Sequence, residues 1–163
     1  MSPEEIEPLE NRKSGFDGFL NELMPVLVDF VGKLGIHPAD GVLKHAVQFV
    51  PYLSQALQTM LVTDDQDRTW LLTRMGYFVG EYFVQKYGGS WYVNDVRGSR
   101  YFGRYVVGRF VSPHGQMSML DPFLVAQAYV DTSVPRQLER ILEEVEAELN
   151  IGSRSSNPIS TSP

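Results

Sequence analysis

Hydrophobic residues recur at three- and four-residue steps along much of the chain, and this is the spacing of one face of an α-helix. The first such stretch covers 16–34, and Gly35 follows it as a helix stop. Pro25 lies inside the stretch, so we expect a kink or two abutting helices there. A second apolar stretch surrounds Pro51 and predicts one helix before the proline and another that opens with it, with a strand over 47–50 as the alternative.

The clearest helical pattern follows the polar segment 63–67, whose side chains can cap the new helix. Its apolar stripe consists of Leu71, Met75, Phe78, Val79, Tyr82 and Phe83. Gly76 and Gly80 lie one turn apart beside this stripe, and each glycine costs a helix up to about 1 kcal/mol. We therefore expect another backbone to approach closely at the glycine face, and the helix to end at the glycine pair 88–89.

Shorter stretches rich in aromatic and β-branched residues come next and predict a hairpin and a third strand. The strands are expected at 91–93, 101–111 and 117–120, with a turn at 95–99. Asp121 and Pro122 then form a helix start, and Pro135 opens a last helix with an acidic face.

The order of elements predicts an α+β fold with N-terminal helices, a three-stranded antiparallel meander, and two C-terminal helices packed on one face of the sheet. A length of 163 residues fits one domain. We assign this domain to 14–151, between a flexible N-terminal tail at 1–13, with a short frayed helix as the alternative, and a disordered polar C-terminal tail at 152–163.

Composition and charge narrow the classes of function. The chain has no cysteine, which excludes disulfides and thiol chemistry. We find no secretion signal and no apolar stretch long enough to span a bilayer, so we expect a cytoplasmic protein that does not enter a membrane. A net charge of −6 disfavours nucleic acid and suits, at most, a basic protein partner.

Candidate chemistry is sparse. The sequence has none of the common metal, nucleotide or nucleophile motifs, and its histidines show no ligand spacing. We therefore expect no cofactor, no metal site and no enzymatic activity. Glu81 is the best candidate for an acid–base group, with Arg74 and Trp91 as the other residues of a pocket. A surface or half-buried ion pair between Glu81 and Arg74 is the simpler interpretation.

The segment YGGSWYVNDVRGSRYFGRYVVGRF combines aromatic residues with arginines. It does not fit the stacking strand of an RNA-recognition motif, because Tyr101 follows Arg100 where that motif has glycine. Arginine and aromatic side chains are instead typical of protein interfaces. The candidate partner-binding residues are Arg97, Arg100, Tyr101 and Arg104 of the hairpin and Glu139, Glu143 and Glu146 of the last helix.

A further pattern extends over 70–148, where a helix with spaced glycines leads through a glycine pair into a W-x-V strand and later a D-P-F helix start. The corresponding residues are Gly76, Gly80, Glu81, Gly88, Gly89, Trp91, Val93, Asp121, Pro122 and Phe123. In this order of features the chain resembles a small bacterial domain family of unknown function, of a kind similar to toxin-immunity or accessory proteins. The resemblance implies a binding protein without assigned catalytic residues, and the N-terminal helices fall outside it.

Together these features predict a non-enzymatic bacterial protein that binds another protein, most specifically an immunity-type protein that neutralises a basic toxin domain. Two alternatives stay open. One is a small-molecule-binding or hydrolytic protein with its pocket near Glu81. The other is a self-associating structural or accessory subunit, since the pattern leaves the oligomeric state open.

Overall fold

A computed structural model describes residues 3–111 and 119–149. Within these ranges the helices are α1 (Pro3–Lys33), α2 (Val42–Leu57), α3 (Asp65–Tyr87), α4 (Pro122–Val130) and α5 (Leu138–Leu149), with a short 3-10 turn at Ala39–Gly41. The strands are β1 (Ser90–Val93), β2 (Tyr105–Gly108) and β3 (Met119–Leu120). The α+β class and the order of helices, meander and helices are confirmed. The predicted C-terminal tail lies outside the described residues.

Helix α1 is longer than its hydrophobic pattern predicts. It begins at Pro3, so the structure places 3–13 in a helix where the sequence predicts a flexible tail. This extension has contacts of its own, since the Arg12 carbonyl accepts a hydrogen bond from the Tyr105 hydroxyl at 2.9 Å. The helix also continues through Pro25, which is exposed. The carbonyl that a proline leaves unpaired is therefore on the solvent side, where water can satisfy it.

Helix α2 runs through Pro51, and its irregularity lies at His45 instead (φ −132°, ψ 44°). The side-chain amide of Gln85 in α3 repairs the break. Its Oε1 accepts from the Ala46 N–H at 2.8 Å, and its Nε2 donates to the Val42 carbonyl at 3.0 Å. These two backbone groups would bond to each other in a regular helix. The prediction of two helices meeting at Pro51, and the alternative of a strand, are therefore wrong.

Helix α3 forms as predicted. Asp64 caps its start by accepting a hydrogen bond from the Asp67 N–H at 2.8 Å, and Gly88 ends it in the left-handed conformation (φ +72°). All six residues of the predicted apolar stripe are buried. The glycine face differs from the prediction in one respect. Aromatic side chains approach it, Trp91 at Gly80 and Phe123 at Gly76, where we expected a backbone.

The sheet is an antiparallel meander in the order β1-β2-β3. Trp91 pairs with Val107 and Val93 with Tyr105, while Val107 also pairs with Leu120. Strand β2 is shorter than the predicted 101–111, because 101–104 form a turn in which Gly103 has a φ of +74°. The predicted third strand is described only from Met119.

The packing of the C-terminal helices differs from the prediction. Helices α1 and α3 cover the sheet, whereas α4 packs mainly on α3, and α5 packs on α2 and α4. Phe123 of α4 does reach Trp91 of β1, with the ring centroids 6.1 Å apart. The core is therefore largely helical. None of the helices in the described part of the chain combines the length and the apolar character that a bilayer span requires.

Candidate functional site

The predicted pocket beside Glu81 is filled. The ring of Trp91 lies against Gly80, so close that a Cβ atom added there would come within 3.0 Å of it. The indole Nε1 of Trp91 donates a hydrogen bond to Glu81 Oε2 at 3.0 Å, and Glu81 is only 7% exposed. Burial raises the pKa of this carboxyl, while hydrogen bonds from Trp91 and Gln85 oppose that shift. A buried acid is present, but Trp91 packs over it and its carboxyl is nearly closed to solvent.

Arg74 does not pair with Glu81, so the predicted ion pair between these two described residues is wrong. The guanidinium lies 4.7 Å from the ring centroid of Trp70, on the preceding turn of the same helix. Its Nη1 donates to the Trp70 carbonyl at 3.2 Å, and its buried Nε has no hydrogen-bond partner. The three residues of the predicted pocket therefore do not form one site.

Glu146 faces the protein rather than a partner. It is 9% exposed and accepts hydrogen bonds from Lys86 Nζ at 2.7 Å and from the Tyr82 hydroxyl at 3.1 Å. The Tyr87 hydroxyl also donates to it. Burial and the hydrogen bond to Glu146 together raise the pKa of Tyr87. The structure therefore assigns Glu146 to the attachment of α5 to the end of α3, which corrects its prediction as a surface contact.

The other two predicted glutamates of α5 are exposed, but they differ in their contacts. Glu139 accepts a hydrogen bond from the Ser54 hydroxyl of α2 at 2.6 Å. Glu143 lies one turn further along and is also exposed. These two residues face the side of α5 that borders α2, beside Gln55 and Gln58.

The hairpin residues separate into two groups. Arg97 and Arg100 are exposed, and the Arg100 guanidinium lies 4.6 Å from the centroid of the half-buried Tyr101 ring. Arg104 instead forms an ion pair with Asp121, whose side chain is almost completely buried. Asp121 also caps α4 by accepting from the Phe123 N–H at 2.8 Å. Arg104 thus holds the start of α4 in place, and only part of it is available for contact.

An open groove lies between α4 and α5 and reaches the hairpin at one end. Its volume is about 1080 Å³. The apolar residues along it include Met119, Leu124, Val125, Ala128, Ile141, Val145 and Leu149. Leu124 is 41% exposed, and Ala128 is exposed as well. Side chains of this kind would normally be covered, so the groove is an apolar surface that the described part of the fold leaves open.

Charged side chains border this groove along α5. Arg140, Glu144 and Glu148 follow one another at one-turn intervals, and Arg140 Nε lies 3.3 Å from Glu144 Oε2. Arg100 and Tyr101 lie at the hairpin end of the groove. The arrangement combines an apolar floor with a charged border, which is the usual anatomy of a protein-binding surface.

The groove brings together only some of the partner-binding residues that the sequence predicts. It includes Arg100 and Tyr101, but it does not include Glu139, Glu143 or Glu146. The residues that sequence reasoning missed are Leu124, Ile141, Val145, Glu144 and Glu148. The sequence did contain a relevant pattern, since α5 has a broad apolar stripe and acidic residues at four-residue spacing. This pattern does not show which face of α5 packs on the protein and which lines the groove, because that depends on tertiary packing.

No site for a metal ion was found among the described residues, judged by groups of three or more potential ligand side chains. No family model matches the chain, and neither a curated protein nor a solved structure matches it. The resemblance to toxin-immunity or accessory proteins therefore stays a prediction.

Proposed function

We propose that this protein is a non-enzymatic binding module that acts by docking another protein on the surface formed by α4, α5 and the hairpin end. The observation that supports this proposal most is the open groove between α4 and α5, in which apolar side chains lie beside exposed carboxylates. Large apolar groups exposed together mark interaction surfaces more often than isolated ones do.

The state of Glu81 supports a binding role over a catalytic one. Glu81 is the strongest acid–base candidate in the sequence, yet its neighbour Trp91 fills the space that a substrate would need. An acid or base must come within hydrogen-bond reach of the reacting group. The alternative of a hydrolytic or ligand-binding pocket near Glu81 therefore has no geometric support.

The most specific form of the proposal is an immunity-type protein that neutralises a basic toxin domain. The net charge of −6 and the exposed carboxylates of α5 support a basic partner. Opposite charges on two surfaces raise the association rate and orient the encounter. A bacterial cytoplasmic location and the resemblance to toxin-immunity proteins belong to the same proposal.

The experiment is affinity capture from a lysate of the source organism with the tagged chain, followed by mass spectrometry. We would compare the parent with the double variant Glu144→Lys/Glu148→Lys. A matched control is Glu10→Lys/Asp17→Lys, which makes the same charge change at two exposed positions of α1. The proposal predicts a stoichiometric partner that the α5 variant loses and the α1 variant keeps.

Absence of any stoichiometric protein partner across moderate and low salt would contradict the binding function. A protein recovered only as copies of the chain itself would favour the alternative of a self-associating subunit. Sedimentation of the purified chain would show that association directly.

A further inference from the structure

We propose that the groove between α4 and α5 receives an amphipathic α-helix of the partner, with the helix's apolar face on the groove floor and basic residues opposite Glu144 and Glu148. This inference rests on the proposed binding function and specifies the partner's chemistry. It names a structural element and a charge pattern that the partner must have.

The floor of the groove has the apolar composition of a helix-packing surface. Helices α4 and α5 are connected through the short segment 131–137 and contact each other, so they lie side by side. Val125, Ile141 and Val145 are half-buried between them and pack against the core. Leu124 and Ala128 are exposed on the α4 side. A third helix could place its ridge of side chains into this depression, as helices do in bundles.

The length of the groove also suits a helix. Arg140 and Leu149 mark its extent along α5, which corresponds to about 14 Å of helix axis at about 1.5 Å per residue. A partner helix of about three turns would cover that distance and present anchors at positions i, i+3, i+4 and i+7. The volume of about 1080 Å³ lies close to the upper limit of the roughly 300–1,000 Å³ of sites for small ligands. The length of the groove along α5, and not its volume, is what favours a helix as the occupant.

The charges on the border specify the polar side of the partner. Glu144 and Glu148 are exposed and one turn apart, which is about 6 Å along the axis. Lysine or arginine side chains one turn apart on a partner helix would match this spacing. Arg140 already lies next to Glu144, so Glu148 offers the less compensated carboxylate of the two. The predicted partner helix therefore has a basic residue opposite Glu148.

The probe for this inference is a synthetic peptide of about 18 residues, fluorescein-labelled, with leucines on one helical face and lysines on the other. Two control peptides have the same length. One has the same composition in an order that destroys the apolar face, and the other has glutamates in place of the lysines. Fluorescence anisotropy with the full chain would measure each affinity.

The inference predicts micromolar binding of the first peptide, with both control peptides weaker by at least about tenfold. Leu124→Asp places a charge on the groove floor and should weaken binding by at least about tenfold. Leu61→Asp is the matched control, because Leu61 is 71% exposed and lies outside the groove. It should leave the affinity unchanged. Glu148→Lys should weaken binding by about two- to fivefold at low salt.

Circular dichroism would establish that both aspartate variants remain folded. Equal binding by Leu124→Asp and Leu61→Asp, or equal binding of the ordered and the scrambled peptides, would overturn the inference. If the lysate partner is captured normally by Leu124→Asp but lost from hairpin variants such as Arg97→Glu/Arg100→Glu, the binding function stands and the helix-in-groove inference fails. Absence of any lysate partner would instead count against the binding function itself.

Discussion

The glycine face of α3 is tightly packed, whereas the groove between α4 and α5 is open. At the first, Trp91 and Phe123 lie so close to Gly80 and Gly76 that no side chain larger than hydrogen fits. At the second, Leu124 and its neighbours line a depression of about 1080 Å³. The glycine face lies next to a buried acid, but aromatic rings fill it. The groove is open, but the residues that line it are of common types.

The difference shows that a chemically distinctive residue does not by itself identify a site. Glu81 attracts attention in the sequence because it follows a glycine on an apolar helix, yet its two hydrogen bonds are internal. The residues of the groove do not stand out in the sequence, because leucine, valine and glutamate are common on any helix. Accessibility distinguishes the two regions, and accessibility depends on how distant elements pack.

The largest expected effect follows from filling the glycine face. Gly80→Ala would place a methyl group inside the Trp91 ring, and we expect the free energy of unfolding to fall by about 3 kcal/mol or more. Gly76→Ala should cost somewhat less, about 2 kcal/mol, because Phe123 is only half-buried and can move. Chemical denaturation would measure both.

Gly18→Ala is the control for these two variants. Gly18 lies in α1 with no atom within 4 Å of an added Cβ, so alanine there should be neutral or stabilise by up to about 1 kcal/mol. Equal effects at all three glycines would mean that helix propensity, and not the filled face, determines them.

A second prediction compares two glutamates of α5. Glu146→Ala removes the acceptor shared by Lys86, Tyr82 and Tyr87, and should lower the free energy of unfolding by about 2 kcal/mol. Glu143→Ala, one turn away and exposed, should change it by less than about 0.5 kcal/mol. Thermal unfolding of the two variants would test the assignment of Glu146 to the fold, and similar melting temperatures would contradict it.

A third prediction concerns pH and the buried acid. Because the pKa of Glu81 is raised in the folded state, its favourable contribution is complete below its unfolded pKa and is lost as the pH rises through the folded value. Glu81→Gln should therefore become more stable relative to the parent as the pH rises from acid to neutral. The measurement is the difference in unfolding free energy between the two proteins across that range. A constant difference would show that the Glu81 carboxyl has the same pKa in both states.

The sequence predicts most of the local structure, because local signals determine it. The cap at Asp64, the end of α3 at Gly88 and the start of α4 at Asp121 all depend on residues within one turn. The errors arise where a distant residue intervenes. The break in α2 lies at His45 and not at Pro51, and Gln85 of α3 bonds to the two backbone groups that it leaves unpaired. Contacts with Tyr105 accompany the extension of α1 over a predicted tail.

The candidate site was predicted less well for the same reason. Arg100 and Tyr101 do lie at the end of the groove, as the exposed hairpin suggested. Glu146 has the same residue type and helix as Glu148, but a three-donor cluster from α3 buries it. Spacing along α5 separates the faces of the helix, but it cannot tell which face meets α3 and which meets the groove.

The most direct test of the account is methyl NMR of the full chain, labelled at isoleucine, leucine and valine, during titration with the basic amphipathic peptide. We predict that the largest shift changes occur at Leu124, Ile141 and Val145, while Leu71 and Val79 of α3 stay unchanged. Saturable changes confined to the groove would support it as the binding surface. Changes centred on α3 and β1, or none that saturate, would contradict the central claim.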